Sequence, residues 1–493
     1  MKAKILLMGF FLVISAHATS LDDKIEAIIR ATQSTSDTGV AVGIIQKGKV
    51  VLSRGYGYRD REAKLPVTEK TLFAIGSTTK AFTGVTLAIA AQDGLLDLET
   101  PIVRYLPDFA MKDPNATREI TALDLMTHRS GLPRHDFVWY LTPFSRENLA
   151  YRLRYLDPNP NITFRKGFQY NNLMFMMGGY LLERLSGQTW EDYLRARVLE
   201  PLGMNDTAFS PSEAKKAAEL AVPYTGKKKI PHKDLSNVGP AGSLYSNLSD
   251  MTRWLQFQIR KGKTEAGVEL LPTTIFESVL WAPHIPVRLL GLNGSYGVGW
   301  FLNRLLGRQY IWHGGNIDGF SAHVSFLPEE ETGIIVLMNQ SGERSLMFEI
   351  QHRIYQLLLE EKADDGAIID KLPHALPDAT AAAITDTTPR FVTAGRETTD
   401  VLSVHGGIYE DAGYGELHII EGNDKIKAYY YGTLVDLVKA EKENQYTLHL
   451  ELSWVSRNIP LNFLWDKGVV HALTLPFESD APAVTFSRLM ELR

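Results

Sequence analysis

Between Ala363 and Thr399 the chain runs through Asp, Pro, Thr and Ala without sustained periodicity. A stretch that repeats neither every two nor every 3.6 residues has no apolar face to bury, so it reads as a linker. It separates two textures. Before it, helical and strand patterns are mixed; after it, only short β-rich runs remain. The expectation is a mixed domain over residues 19–362, a linker over 363–399 and a small all-β barrel or sandwich over 400–493. With 493 residues, 44% of them hydrophobic, the chain is long enough for two cores.

In the mixed part, Val40–Ile45, a Lys47-Gly48-Lys49 turn and Val50–Leu52 predict a hairpin. Phe82, Val85 and Ile89 predict a helix from Thr78 to Gln92, stopped near Gly94. Further helices are expected from about Leu173 to Leu185 and from Trp190 to Leu199, the latter ended by Pro201. Phe320–Phe326 alternates as a strand and Gly333–Met338 returns beside it, before a helix from about Leu346 to Glu361. In the tail, Tyr414–Ile420, Lys425–Tyr431, Tyr446–Leu452 and Val469–Leu475 predict strands separated by polar turns.

The first 18 residues are set apart. Lys2 and Lys4, the apolar run Ile5–Ser15 and Ala16-His17-Ala18 form a secretory signal peptide cleaved after Ala18, which predicts a periplasmic or secreted protein. No later segment has the 18 apolar residues of a membrane span. The absence of cysteine removes disulfides, thiol nucleophiles and a lipid-modified N-terminal Cys. The net charge is −5, and the one basic run, Lys227-Lys228-Lys229, is short, so nucleic acid is not an expected partner. No clustered His/Asp set has the spacing of a metal site, and neither a metal nor another cofactor is expected.

Chemistry centres on Ser77-Thr78-Thr79-Lys80. A serine hydroxyl needs a neighbouring base, and residues three apart on a helix share a face, so Lys80 can reach Ser77. About two S-x-x-K matches arise by chance at this length, and a second, Ser212-Glu213-Ala214-Lys215, is present. Context separates them. Phe73–Gly76 brings the backbone in extended and turns it at Gly76, so the Ser77 amide faces outward at a helix start, ready for an oxyanion. The helix dipole there favours a neutral Lys80. Ser212 lies in a charged segment and reads as the cap of a surface helix.

Two Y-x-N pairs occur. Tyr170-Asn171-Asn172 precedes a Met-rich helix and offers a phenol and an amide to Ser77, with Asn172 as an N-cap the plain alternative. In Tyr245-Ser246-Asn247, Asn247 reads as an N-cap with Asp250 three residues on. His-Gly-Gly is also duplicated: His313-Gly314-Gly315 precedes the Phe320–Phe326 strand, whereas His405-Gly406-Gly407 opens the tail as a turn. Gly262-Lys263-Thr264 lacks the earlier glycine of a phosphate loop. Gly319-Phe320-Ser321-Ala322-His323 lacks the closing glycine of a nucleophile elbow, so Ser321 reads as a strand residue.

In order, Ser77-x-x-Lys80, Tyr170-x-Asn172 and His313-x-Gly315 resemble the three motifs of penicillin-recognising serine hydrolases: class C β-lactamases, D,D-carboxypeptidases, D-aminopeptidases and related esterases. Leu123–Leu132 is similar to that family's L-L-T-H-x-S-G-L stretch, and Gly239–Leu244 also matches. Residues 25 to 360 or so are covered, and the tail resembles a lipocalin-like domain carried by some of these peptidases. The resemblance implies an α+β fold, an antiparallel sheet flanked by helices beside a helical subdomain. By position it implies Ser77 as the acylated nucleophile, with Lys80 and Tyr170 sharing the base and proton-shuttle work. Asn172 would bond Lys80 or substrate, and His313 would position substrate or relay protons. Gly314 and Gly315 would line the substrate site, and the amides of Ser77 and Asn316 would form the oxyanion hole.

One departure stands out: K-T-G is His313-Gly314-Gly315 here, which removes a cation and a hydroxyl and points away from efficient β-lactam hydrolysis. The implied function is an exported serine hydrolase of amides or esters, acting on short or D-residue-containing peptides or on esters. A D,D-carboxypeptidase or weak β-lactamase, and an inactive hydrolase fold that binds cell wall or peptide, remain alternatives. The sequence leaves the oligomeric state open.

Overall fold

The computed structural model describes residues 20–32, 37–289, 292–342, 344–359, 405–421, 426–440, 445–452 and 455–489. The expected signal peptide and the linker lie outside these residues. Residues up to 359 build an eight-stranded antiparallel sheet. From one edge its strands are Lys49–Tyr56, Val40–Gln46, Thr332–Met338, Phe320–Leu327, Arg308–Ile317, Phe301–Leu305, Leu292–Tyr296 and Ile285–Leu289. The Val40–Gln46 hairpin turns at Lys47 and Gly48, both at positive φ, which suits the right-handed twist of its strands. Phe320–Leu327 and Thr332–Met338 are buried at every position, because the helices Leu248–Ile259 and Arg344–Leu358 pack against both and the turn Gly76–Thr78 packs against the first.

The helix Thr79–Gln92 is buried from Thr79 to Ala90, so it is a central core helix rather than a surface one. Phe82 stacks on Trp254 of the helix Leu248–Ile259 at 3.7 Å. Gly94 ends it at φ +79, with the Leu95 amide bonding back to the Ala90 carbonyl. The Met-rich helix Asn172–Ser186 stops at left-handed Gly187 as its glycine predicts. Pro201, however, does not end the next helix. Trp190–Leu194 passes into a π-turn, Arg195–Leu199, whose wider bonding absorbs the proline before the chain stops at Gly203.

The tail is a closed barrel of eight antiparallel strands, Gly407–Asp411 to Val484–Arg488, each pairing with the next and the last with the first. Eight strands enclose just enough space for side chains. Tyr409, Leu417, Leu448, Leu461, Phe463, Leu473 and Phe486 are among the residues buried there. Closure removes the free edges that a sandwich would expose. No helix among the described residues is long and apolar enough to cross a membrane.

The barrel docks on the segment 134–157 of the sheet domain. Tyr414 donates its hydroxyl to His135 Nδ1 at 2.7 Å, while His135 Nε2 donates to the Asp157 carbonyl. Burial lowers the His135 pKa to about 4, which keeps the ring neutral. Arg152 donates to the Ala412 carbonyl, and Phe137 and Phe144 meet Phe477 and Tyr431. Beside this junction is a cleft of about 650 Å³ lined by Trp139, Tyr140, Phe144, Lys233, Tyr429 and Tyr431.

Candidate active site

Ser77 sits in a single 3-10 turn, Gly76–Thr78, joining the short strand Phe73–Ala74 to the buried helix. Gly76 has φ +50, and a β-carbon there would lie 2.9 Å from the Asn316 amide nitrogen. A β-carbon on Gly315 would lie 2.0 Å from the Ile75 carbonyl oxygen and 3.2 Å from the Ser77 nitrogen. The strand Arg308–Ile317 therefore runs against the Gly76–Thr78 turn backbone to backbone, which only glycines permit. Gly314 is different: the nearest atom to its β-carbon would be 3.8 Å away.

Lys80 is fully buried. Its ammonium nitrogen donates to Ser77 Oγ at 3.1 Å, to Asn172 Oδ1 at 2.8 Å and to the Ala241 carbonyl at 2.7 Å. Burial holds the Lys80 pKa well below the usual lysine range, and the charge of Arg134 lowers it further. A lysine poised toward its neutral form, one hydrogen bond from a serine hydroxyl, is able to take that proton. Tyr170 completes the cluster, its ring 4.8 Å from Lys80 Nζ.

Asn172 is not an N-cap. Asn171 caps the helix, its side chain accepting from the Met174 amide at 3.0 Å. Asn172 is thereby free to turn its amide inward, where it accepts from Lys80 and donates to Asp136 Oδ1 at 3.2 Å. Asp136 also accepts from Arg134 Nε and Trp139 Nε1. At Ser212, likewise, the cap is Ser210, two residues earlier than expected; Ser212 lies within the helix Pro211–Ala214. Asn247 does cap its helix, accepting from the Asp250 amide.

His313 is buried, and burial lowers its pKa to about 3, helped by the Lys80 charge. Its Nδ1 donates to the Gly314 carbonyl at 2.7 Å and its Nε2 accepts from the Tyr296 hydroxyl at 3.0 Å. Both nitrogens are engaged, so the ring stands as a neutral wall 6.3 Å from the Tyr170 ring. Asn316 is steadied by Ser321, whose hydroxyl lies 2.9 Å from its Oδ1 and 2.8 Å from the Gln340 carbonyl and shares its one proton between them. The strand residue of the false nucleophile elbow thus orients the site.

A family model described as Beta-lactamase matches residues 25–357, and the three ordered motifs all fall inside that span. The chain belongs to the beta-lactamase family of serine hydrolases. Among curated proteins it is 30% identical over 325 residues to "Unguisins hydrolase ungD'" of Aspergillus campestris, covering 61% of this chain and 58% of that one. It is 26% identical over 310 residues to "Protein flp" of Staphylococcus aureus, covering 62% of this chain and 60% of that one. The matched region therefore spans less than two thirds of either relative. The octameric penicillin-binding protein homologue of Pyrococcus abyssi shares the fold with TM-score 0.62 and 22% identity, over 95% of this chain and 100% of that one. FmtA of Staphylococcus aureus aligns with TM-score 0.55 and 24% identity over 69% of this chain and 90% of that one.

This family member carries site residues that sequence reasoning did not single out. His128 has left-handed backbone, φ +58, and clamps both neighbours of Tyr170. Its carbonyl accepts from the Gln169 amide at 2.9 Å and its Nδ1 from the Asn171 amide at 3.1 Å. Its ring packs 4.3 Å from that of Tyr170. Burial drives the His128 pKa well below the normal histidine value, so it stays an acceptor. The stretch Leu123–Leu132 was visible as a family motif, yet nothing in it separated a positioning histidine from a structural one. Asp136 and Tyr296 left no signal, and the Gly239–Leu244 match did not mark the Ala241 carbonyl, because these roles arise from tertiary contact.

Proposed function

We propose that this protein is an exported hydrolase that cleaves amides or esters through an acyl-enzyme on Ser77. Its substrates are short or D-residue-containing peptides, or esters. The observation that carries the reading is the buried Lys80 amine, 3.1 Å from Ser77 Oγ and held by Asn172 and Ala241. In this reading neutral Lys80 takes the Ser77 proton as Oγ attacks the carbonyl carbon. The amides of Ser77 and Asn316, pressed together by Gly76 and Gly315, receive the oxyanion. Lys80 and Tyr170 return the proton to the leaving group, and water then repeats the sequence to release the acid.

His313 supports the site as a neutral, fixed wall. A neutral imidazole followed by two glycines offers no cation to a β-lactam carboxylate, which favours peptides or esters over β-lactams. The relative named for unguisin hydrolysis supports hydrolysis as the family's use of this site. Export rests on Lys2, Lys4, the Ile5–Ser15 run and Ala16-His17-Ala18.

The test is covalent labelling with a fluorophosphonate and a fluorescent penicillin, followed by turnover of D- and L-aminoacyl anilides, acyl esters and nitrocefin. Labelling at Ser77, its loss in Ser77→Ala, and nitrocefin turnover about 100-fold or more below the best ester are expected. A folded wild-type protein that neither probe labels would overturn the acyl-enzyme.

A further inference from the structure

With His313 neutral, the strand position that a K-T-G motif gives to a lysine carries no charge here, and Lys80 is buried and hydrogen-bonded. A permanent positive charge does stand beside the cluster, delivered from a different element. Arg134 follows Pro133, whose carbonyl accepts from Asn171, so its backbone is tied to the Tyr170 segment. Its guanidinium carbon lies 5.2 Å from the centre of the Tyr170 ring. Only Nε is committed, donating to Asp136 Oδ2 at 2.5 Å. Among the described residues no hydrogen bond to its two terminal nitrogens is found, and 45% of the side chain is exposed.

Asp136 holds the guanidinium plane but is itself saturated by Arg134, Trp139 and Asn172, and is buried. The outward edge of the fork is thus oriented and open, which is the arrangement that accepts a planar carboxylate through two parallel bonds. One further group stands beside it. Glu478, which follows Phe477 in the barrel, accepts a hydrogen bond from the Asp136 backbone amide, which places it near Arg134, yet it forms no ion pair with Arg134 among the described residues. Burial raises its pKa to about 7. A carboxyl that is desolvated and reluctant to ionise is a weak grip for an ammonium group, and a weak competitor for Arg134.

We propose that Arg134 is the specificity-determining residue of this site, binding a carboxylate carried by the substrate, and that Glu478 of the barrel moderates its pull. Anionic acyl or peptidyl substrates are therefore preferred to their neutral counterparts. This rests on the hydrolase reading above, and its test is arranged to separate the two.

The probes are p-nitrophenyl hemisuccinate and the matching p-nitrophenyl methyl succinate, with p-nitrophenyl β-alaninate as the cationic arm. Wild type is expected to favour the anion over the neutral ester by about tenfold in kcat/KM. Arg134→Gln is expected to bring that ratio near one, Arg134→Lys to give an intermediate value, and Glu478→Gln to raise it about threefold. Losing Arg134 also shifts Lys80, but that acts on all the esters alike, so the ratio isolates recognition. A wild-type ratio near one, a ratio unchanged by Arg134→Gln, or a preference for the β-alaninate would overturn the proposal. If none of the esters is hydrolysed, the hydrolase reading fails alone. Calorimetric binding of hippurate against hippuramide then decides Arg134: selective binding lost in Arg134→Gln supports it, and equal or absent binding overturns it.

Discussion

The chain contains the same four-residue pattern twice, in opposite surroundings. At Ser77–Lys80 the lysine is buried and donates to Ser77, Asn172 and Ala241. At Ser212–Lys215 the serine is exposed and, among the described residues, its hydroxyl meets the Ser210 hydroxyl at 2.9 Å on a four-residue helix. Spacing brings a serine and a lysine to one face of a helix; burial is what lowers the lysine's pKa. The difference also extends to what surrounds each turn. Ser77 is pressed by Gly315 and flanked by Gly76, whereas Ser212 is exposed on a helix that Ser210 caps through the Glu213 amide.

The comparison breaks most directly at the serines. Ser77→Ala is expected to lower turnover of the best ester by about 10³-fold or more, and Ser212→Ala to leave it within about twofold. Equal effects in steady-state assays would show that the nucleophile has been misplaced. At the lysines, Lys80→Met is expected to cost about 10³-fold while Lys215→Met costs nothing measurable. A pH profile sharpens this. The active form carries neutral Lys80, so kcat/KM should rise with pH through a pKa well below the usual lysine value and then level off. A limb that keeps climbing to pH 10 would mean that Lys80 is an ordinary ammonium.

Smaller effects are expected from the groups around Ser77. Gly315→Ala forces a β-carbon onto the Ile75 carbonyl and should reduce kcat by about 10²-fold, with loss of thermal stability. Gly314→Ala meets nothing closer than 3.8 Å and should stay within about threefold. Similar losses for the two would contradict the close backbone approach. His128→Ala removes the imidazole acceptor of the Asn171 amide, leaving the backbone bond to Gln169, and should lower kcat by about tenfold with little change in KM. Asparagine tolerates left-handed backbone and retains an acceptor, so His128→Asn should recover part of that loss. Failure of asparagine to rescue, with a melting temperature lowered equally in both, would reduce His128 to packing.

Much of this was legible in the residues. Gly94 and Gly187 marked helix ends, Phe320–Phe326 and Gly333–Met338 announced paired strands, and the tail's short runs announced an all-β unit. Such features depend on local periodicity and on glycine's access to positive φ, which the chain carries in itself. Other readings failed for equally local reasons. Pro201 was absorbed by a π-turn, and the caps fell on Asn171 and Ser210 rather than Asn172 and Ser212, because adjacent polar residues compete for one capping position.

By itself, then, the sequence determined the two textures, the order of the motifs and the serine–lysine spacing, all properties of neighbours along the chain. Tertiary structure decided which of two identical spacings is buried, that Asn172 turns to Lys80, that His313 is neutral, and that Arg134 stands open beside Tyr170. Those are matters of desolvation and of contacts between residues far apart in the chain, and neither is encoded at any one position.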